Sequence, residues 1–164
     1  MSKLKNFYLE LYSTKHKEIY KQIGDYLQYF GVFFVIVCSF YFKDIDIFLK
    51  FIPYYVFCVL LAWALKGIFN NRRPNEFSDN ETNPKNEKLK LEWSVKEGNS
   101  FPSGHTASAM TAIYLFQIDF VLGVIGLCVG IFTAWTRLIN RKHWLRDVGF
   151  SIVADIVIYY IMFL

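Results

Sequence analysis

Apolar residues run along this chain in long blocks divided by polar stretches, and each block has the length of a helix. Residues 3–22 place Leu4, Phe7, Leu11 and Tyr12 at helical spacing, with Lys5, Glu10, Lys15, Lys17 and Lys21 between them. That pattern predicts an amphipathic helix too polar to span a bilayer and suited to its interface. Tyr26 to Phe42 is then apolar or aromatic, near the lower length limit for a span. After the turn Lys43-Asp44-Ile45-Asp46, Ile47 to Phe69 is the second predicted span. Residues 70–100 form a polar loop with Pro74 and Pro84, long enough to be either a lid or a linker. Ser103 to Phe116 is a short third helix, Phe120 to Ile139 a fourth and Leu145 to Leu164 a fifth. Gly123, Gly126 and Gly130 predict close packing along the fourth.

The expected fold is therefore all-α: an integral membrane helical bundle of five transmembrane helices plus an N-terminal amphipathic interfacial helix. It forms one domain over residues 1–164, with the amphipathic helix in 1–25 and the polar loop at 70–100. Composition agrees: 54% of residues are hydrophobic, 20% aromatic and 20% charged, and the mean hydropathy is +0.27. Charge collects in 1–25, 66–98 and 137–147. The first twenty residues lack the apolar run and cleavage site of a signal peptide. Cys38, Cys58 and Cys128 fall far apart within apolar blocks and read as small fillers, not as a disulfide framework or metal site.

Net charge is +4, carried almost wholly outside the apolar blocks. Such cations either anchor helix ends in the headgroup region or form a rim for an anionic ligand. Parity favours a rim with a purpose. The ends of spans two and four and the starts of spans three and five share one membrane face, and the unusual polar residues sit there. Lys66 and Arg73-Pro74 close span two; a seven-residue step on a helix would put both cations on one face, ~10 Å apart. Taken alone, they read as interfacial anchors. Pro102-Ser103-Gly104-His105 opens the third helix, with Ser100 as the expected N-cap and Pro102 at the first helical position. Free amides at such a start make an anion site, Gly104 admits close approach, and Ser103 adds a hydroxyl. Arg137, His143 and Asp147 close the set; the last two are four apart, so on a helix they share a face and can hydrogen-bond. A plain surface histidine near a helix start explains that pair equally well.

Together these residues supply phosphoryl transfer. Lys66, Arg73 and Arg137 would neutralise phosphoryl oxygens, the amides and Ser103 would complete the cradle, His143 would attack phosphorus and His105 would protonate the departing oxygen. Asp147 would fix the tautomer of His143.

The three blocks resemble the signature of the type 2 phosphatidic acid phosphatase superfamily, which pairs Lys-x6-Arg-Pro with Pro-Ser-Gly-His and Ser-Arg-x5-His-x3-Asp. Here they stand as Lys66 to Pro74, Pro102 to His105 and Thr136-Arg137 to Asp147, with threonine in place of the serine. The resemblance implies a phosphohistidine on His143, His105 as general acid, Asp147 orienting His143, and phosphate held by Lys66, Arg73, Ser103, Gly104 and Arg137. It implies no metal and no other cofactor. It also implies six core spans, where this chain shows five and a surface helix. Arg72, Arg141 and Arg146, beside the signature, read as rim or anchor residues.

The implied substrate is a phosphorylated lipid of a bacterial cytoplasmic (inner) membrane: a lipid A phosphate, undecaprenyl diphosphate, phosphatidylglycerophosphate or phosphatidic acid. The implied partners are that lipid and the bilayer, with no nucleic acid. Family sites face the extracytoplasmic side, whereas the positive-inside rule would put this one in the cytoplasm, since only Lys43 and Lys50 lie on the other face. Several of the site-face cations are explained by the site itself, so an outward-facing site is expected. A non-catalytic protein that keeps the pocket to bind anionic lipids is the rival reading. Asp155, within the fifth span, reads as a buried hydrogen-bonded acid or a functional one.

Overall fold

The computed structural model describes residues 14–69, 71, 73, 74 and 99–164, with no account of the side chains of 14–17. Its regular elements are all helical: α1 (Thr14–Leu27), α2 (Phe30–Phe42), α3 (Ile45–Ile68), α4 (Gly104–Met110), a 3₁₀ stretch (Thr111–Gln117), α5 (Phe120–Ile139) and α6 (Leu145–Phe163). The helices α3 and α5 are each long and apolar enough to cross a membrane, and α1 with α2 makes a third candidate bent by 42° at residues 28–29. The part of the predicted amphipathic helix before Thr14 lies outside the described residues, as do Arg72 and most of the 70–100 loop.

Local chemistry sets the boundaries. Lys43 takes a left-handed conformation (φ 53°) that ends α2, its N–H bonding back to Phe40 and Ser39 carbonyls. Asp44 then caps α3 by accepting from Asp46 N at 2.9 Å. Asp119 caps α5 by accepting from Val121 N at 2.8 Å and Leu122 N at 3.1 Å.

Burial is inverted relative to a soluble bundle. Phe33, Phe40, Leu60, Trp63, Phe120, Val153 and Ile161 are all more than half exposed on outward faces. The interior holds Phe51, Tyr54, Tyr114 and Leu115, together with a polar group gathered at one end: Asn71, Ser100, Ser103, Thr136, Arg137, His143 and Asp147. An apolar belt around a polar-ended interior is what a lipid solvent requires.

The third predicted helix is not one continuous α-helix. It changes to 3₁₀ geometry at Thr111, whose hydroxyl bonds the Ser108 carbonyl at 2.7 Å. This stretch is the centre of the bundle, with Met110 to Leu115 at most 3% exposed. It lies in the groove left by the glycines of α5. A Cβ on Gly126 would stand 2.2 Å from the Ala112 carbonyl oxygen, and one on Gly130 would stand 2.3 Å from Met110 Sδ. The predicted close packing of α5 is thus real, and its partner is this central segment: backbone at Gly126, the Met110 side chain at Gly130 and the Phe116 ring at Gly123. Cys38, Cys58 and Cys128 are free thiols.

Candidate active site

Four connections meet at the polar end of the bundle. The first is the exit of α3. Phe69 leaves helical geometry (φ −103°, ψ 129°), so Arg73 lies beyond the helix, and the helical seven-residue relation expected between Lys66 and Arg73 does not hold. A side-chain clasp replaces it. Asn71 N donates to Asn99 Oδ1 at 3.0 Å, Ser100 N donates to Asn71 O at 2.8 Å, and Asn99 Nδ2 donates to the Lys66 carbonyl. The clasp joins the two ends of the 70–100 loop and brings Arg73 into electrostatic contact with Lys66, which also feels Asp147.

The second connection is the entry to α4. Ser103, not Ser100, is the N-cap, accepting from Thr106 N at 3.4 Å and sharing a 2.9 Å hydrogen bond with Thr106 Oγ1. Pro102 precedes the cap, after a cis bond from Phe101. The Ser100 hydroxyl donates instead to Asp147 Oδ2, and Ser100 stands four residues before Gly104, too early to cap the helix. Gly104 opens the helix beside Lys66, whose Nζ would lie 3.5 Å from a Cβ placed there.

The third is the turn from α5 to α6, through Arg141 at φ 52°. It places His143, 5% exposed, ahead of α6 rather than on it. His143 and Asp147 therefore do not meet as neighbours on a helix face. His143 Nδ1 lies 2.7 Å from the Ser100 carbonyl oxygen, and Asp147 Oδ2 is 3.7 Å away, beyond an ordinary hydrogen bond. A carbonyl only accepts, so Nδ1 carries the proton and Nε2 of the neutral ring keeps its lone pair. Asp147, fully buried, accepts from the Ser100 hydroxyl and from Trp144 N at 2.8 Å. It holds the residue that holds the histidine. Burial lowers the pKa of His143, with Asp147 opposing the shift.

Arg146, expected at the rim, is partly exposed and also reaches inward. Its Nε is 3.5 Å from Asp147 Oδ1, and NH2 donates to Asn71 Oδ1 at 3.4 Å. Ser151 seals the floor, donating to the carbonyls of Ser103 at 3.0 Å and Asp147 at 3.1 Å.

The fourth contributor is α1, where the sequence offered no motif. Asp25 Oδ1 accepts from Arg137 NH2 at 2.7 Å and lies 3.3 Å from His105 Nε2. His105 in turn feels Arg137, Asp25, His143 and Lys66. Lys66, His105, Arg137, His143 and Asp147 therefore form one electrostatically coupled group together with Asp25. Asp25, Asn71, Asn99 and Ser100 were missed, because a lone Asp, Asn or Ser carries no signal until its partner is known. Asp155 is buried with its carboxylate against Cys58 rather than in this group.

The three blocks meet at one site, and the profile of the PAP2 superfamily matches residues 47–164. The chain belongs to the PAP2 superfamily. A segment of 55 residues is 40% identical to the lipid A 1-phosphatase of Porphyromonas gingivalis, covering 30% of this chain and 12% of that relative. The chain thus matches only a small part of the length of that larger protein. No solved structure matches. Membership accounts for the membrane-compatible helices and for the grouping of the three blocks in this PAP2 chain, while Asp25 lies before the matched region.

Proposed function

We propose that this protein is a metal-independent membrane lipid phosphatase that removes a phosphate monoester or diphosphate from an envelope lipid through a phosphohistidine on His143. The observation that carries the reading is the tautomer of His143: with Nδ1 bonded to the Ser100 carbonyl, Nε2 of the neutral ring keeps its lone pair, and the ring feels Lys66. In the first step Nε2 attacks phosphorus, the bond from phosphorus to the lipid oxygen breaks, and His105 gives that oxygen its proton. In the second, water attacks the phosphohistidine, His105 takes the water's proton, the P–N bond breaks and inorganic phosphate leaves. Lys66, Arg73 and Arg137 neutralise the phosphoryl oxygens, with Ser103 and Gly104 forming the turn against which they lie. Asp147 acts through Ser100.

The relative named above acts on lipid A at its 1-phosphate, which supports a phosphorylated envelope lipid of this kind; undecaprenyl diphosphate, phosphatidylglycerophosphate and phosphatidic acid share the headgroup chemistry. We further propose five spans, adding α4 with its 3₁₀ continuation and α6 to the apolar helices. Seven α-helical and seven 3₁₀ residues reach ~25 Å, where an α-helix of that length reaches ~21 Å. The membrane would be a bacterial inner membrane with the site facing outward, which puts the C-terminus in the cytoplasm. A reporter fused after Leu164 tests this; an external reporter overturns it. For the activity, purified protein in detergent with EDTA is expected to release phosphate from a panel of lipid phosphates and diphosphates, and vanadate is expected to inhibit. Release that needs added Mg²⁺ defeats the metal-independent mechanism, and no release from any lipid defeats the phosphatase reading and leaves lipid binding without catalysis.

A further inference from the structure

The last turns of α1 reach the site although α1 lies outside all three blocks. Gly24 allows the approach: a Cβ there would stand 2.2 Å from Thr136 Oγ1 and 2.6 Å from Arg137 NH2. The edge-to-face pair of Tyr20 and Trp135, centroids 5.4 Å apart, fixes the same helix against α5 one turn earlier. Asp25 is thereby set with Oδ1 between Arg137 NH2 and His105 Nε2. A carboxylate at that distance favours a proton on the ring nitrogen that faces it.

Among the described residues, Lys66 from α3, Arg137 from α5, His143 from the turn before α6 and Asp25 from α1 all act on His105. The first three work against a second proton on the ring, as burial does, and Asp25 works for it. Once a phosphate dianion arrives it can take over that role, but before binding only Asp25 fills it among these groups.

We infer that Asp25 is a positioning residue of the site, favouring a proton on His105 Nε2 and orienting the Arg137 guanidinium before an anionic substrate binds. The inference rests on the phosphatase reading above. The opposite possibility is that Asp25 Oδ1 merely occupies the place of a phosphate oxygen and must be displaced. The two differ in sign. Removing a positioning carboxylate weakens catalysis, whereas removing an occupant tightens anion binding.

The test titrates the imidazoles of ring-labelled protein in detergent by NMR. The chain has three histidines, so His16→Gln and His143→Gln assign the His105 signal. In Asp25→Asn, His105 is expected to become about tenfold or more harder to protonate, as for loss of an opposite charge within ~4–6 Å. Asp25→Glu should restore most of the change, and Asp25→Ser is a second neutral variant should the asparagine form fold poorly. In parallel, the alkaline limb of kcat/KM should move to lower pH in Asp25→Asn, with vanadate inhibition no tighter. An unmoved His105 titration, or roughly tenfold tighter vanadate binding in Asp25→Asn, overturns the inference. If the wild type hydrolyses no lipid phosphate, the phosphatase reading fails while the titration still decides the role of Asp25.

Discussion

His143 is held through Nδ1 by the main-chain carbonyl of Ser100 at 2.7 Å, and the carboxylate of Asp147 grips Ser100 rather than the ring. A main-chain acceptor cannot be removed by substitution, so the tautomer should survive changes at Asp147 that would scramble it in a direct histidine–aspartate pair.

Accordingly, His143→Ala should abolish phosphate release, whereas Asp147→Asn should cost less than the ~10⁴-fold seen where a carboxylate fixes the ring directly. Ser100→Ala, which removes the hydroxyl but keeps the carbonyl, should cost less again. Single-turnover phosphate release by the three variants, compared at matched folding, checks the order. A loss in Asp147→Asn as large as in His143→Ala, with Ser100→Ala mild, would show that Asp147 contacts the ring during turnover.

The depressed pKa of His143 would set an acid limit on the proposed activity. Attack needs the neutral ring, so activity should persist as pH falls below 6.5, the ordinary histidine value, and fail only lower. The sign for stability is the same: the unfolded chain takes up the proton first, so the contribution of this group is full above 6.5 and is lost as pH falls through the folded value. A pH profile of kcat/KM together with thermal unfolding in detergent measures both.

Gly126 and Gly149 make a matched pair for packing. Alanine at Gly126 drives a methyl to 2.2 Å from the Ala112 carbonyl and should destabilise by at least ~1–3 kcal/mol. Alanine at Gly149 meets nothing within 4 Å and should stabilise α6 by ~0.5–1 kcal/mol. Unfolding midpoints in one detergent should move in opposite directions.

Asn99 ties the 99–100 segment to Asn71 and to the carbonyl of Lys66. Asn99→Ala strands a buried main-chain donor and an acceptor, a cost of ~1–3 kcal/mol. Because the clasp brings Arg73 to Lys66, KM for a lipid phosphate should rise as well. Asn99→Asp keeps the acceptor for Asn71 and should retain more of the stability; unfolding and KM measured on both variants decide.

The sequence alone carried the helical class, the position of α3 and α5, the close packing along the α5 glycines and the convergence of Lys66, His105, Arg137, His143 and Asp147. These follow from unbroken apolar runs and from parity, which depend on chain order alone. Tertiary structure decided how the groups meet. Ser103 rather than Ser100 is the cap because the chain turns helical only at Gly104, and the Ser100 hydroxyl bonds Asp147. Arg73 left the helix as Asn71 paired with Asn99 and Ser100. His143 found a carbonyl brought by a segment 43 residues away, and Asp25 reached Arg137 from a separation of 112 residues. Hydrogen bonds of short polar side chains leave no periodic trace in a sequence. Their partners are set by which ends of the bundle pack together, and that is decided by side-chain volume at contacts such as Gly24 on Thr136 and Gly126 on Ala112.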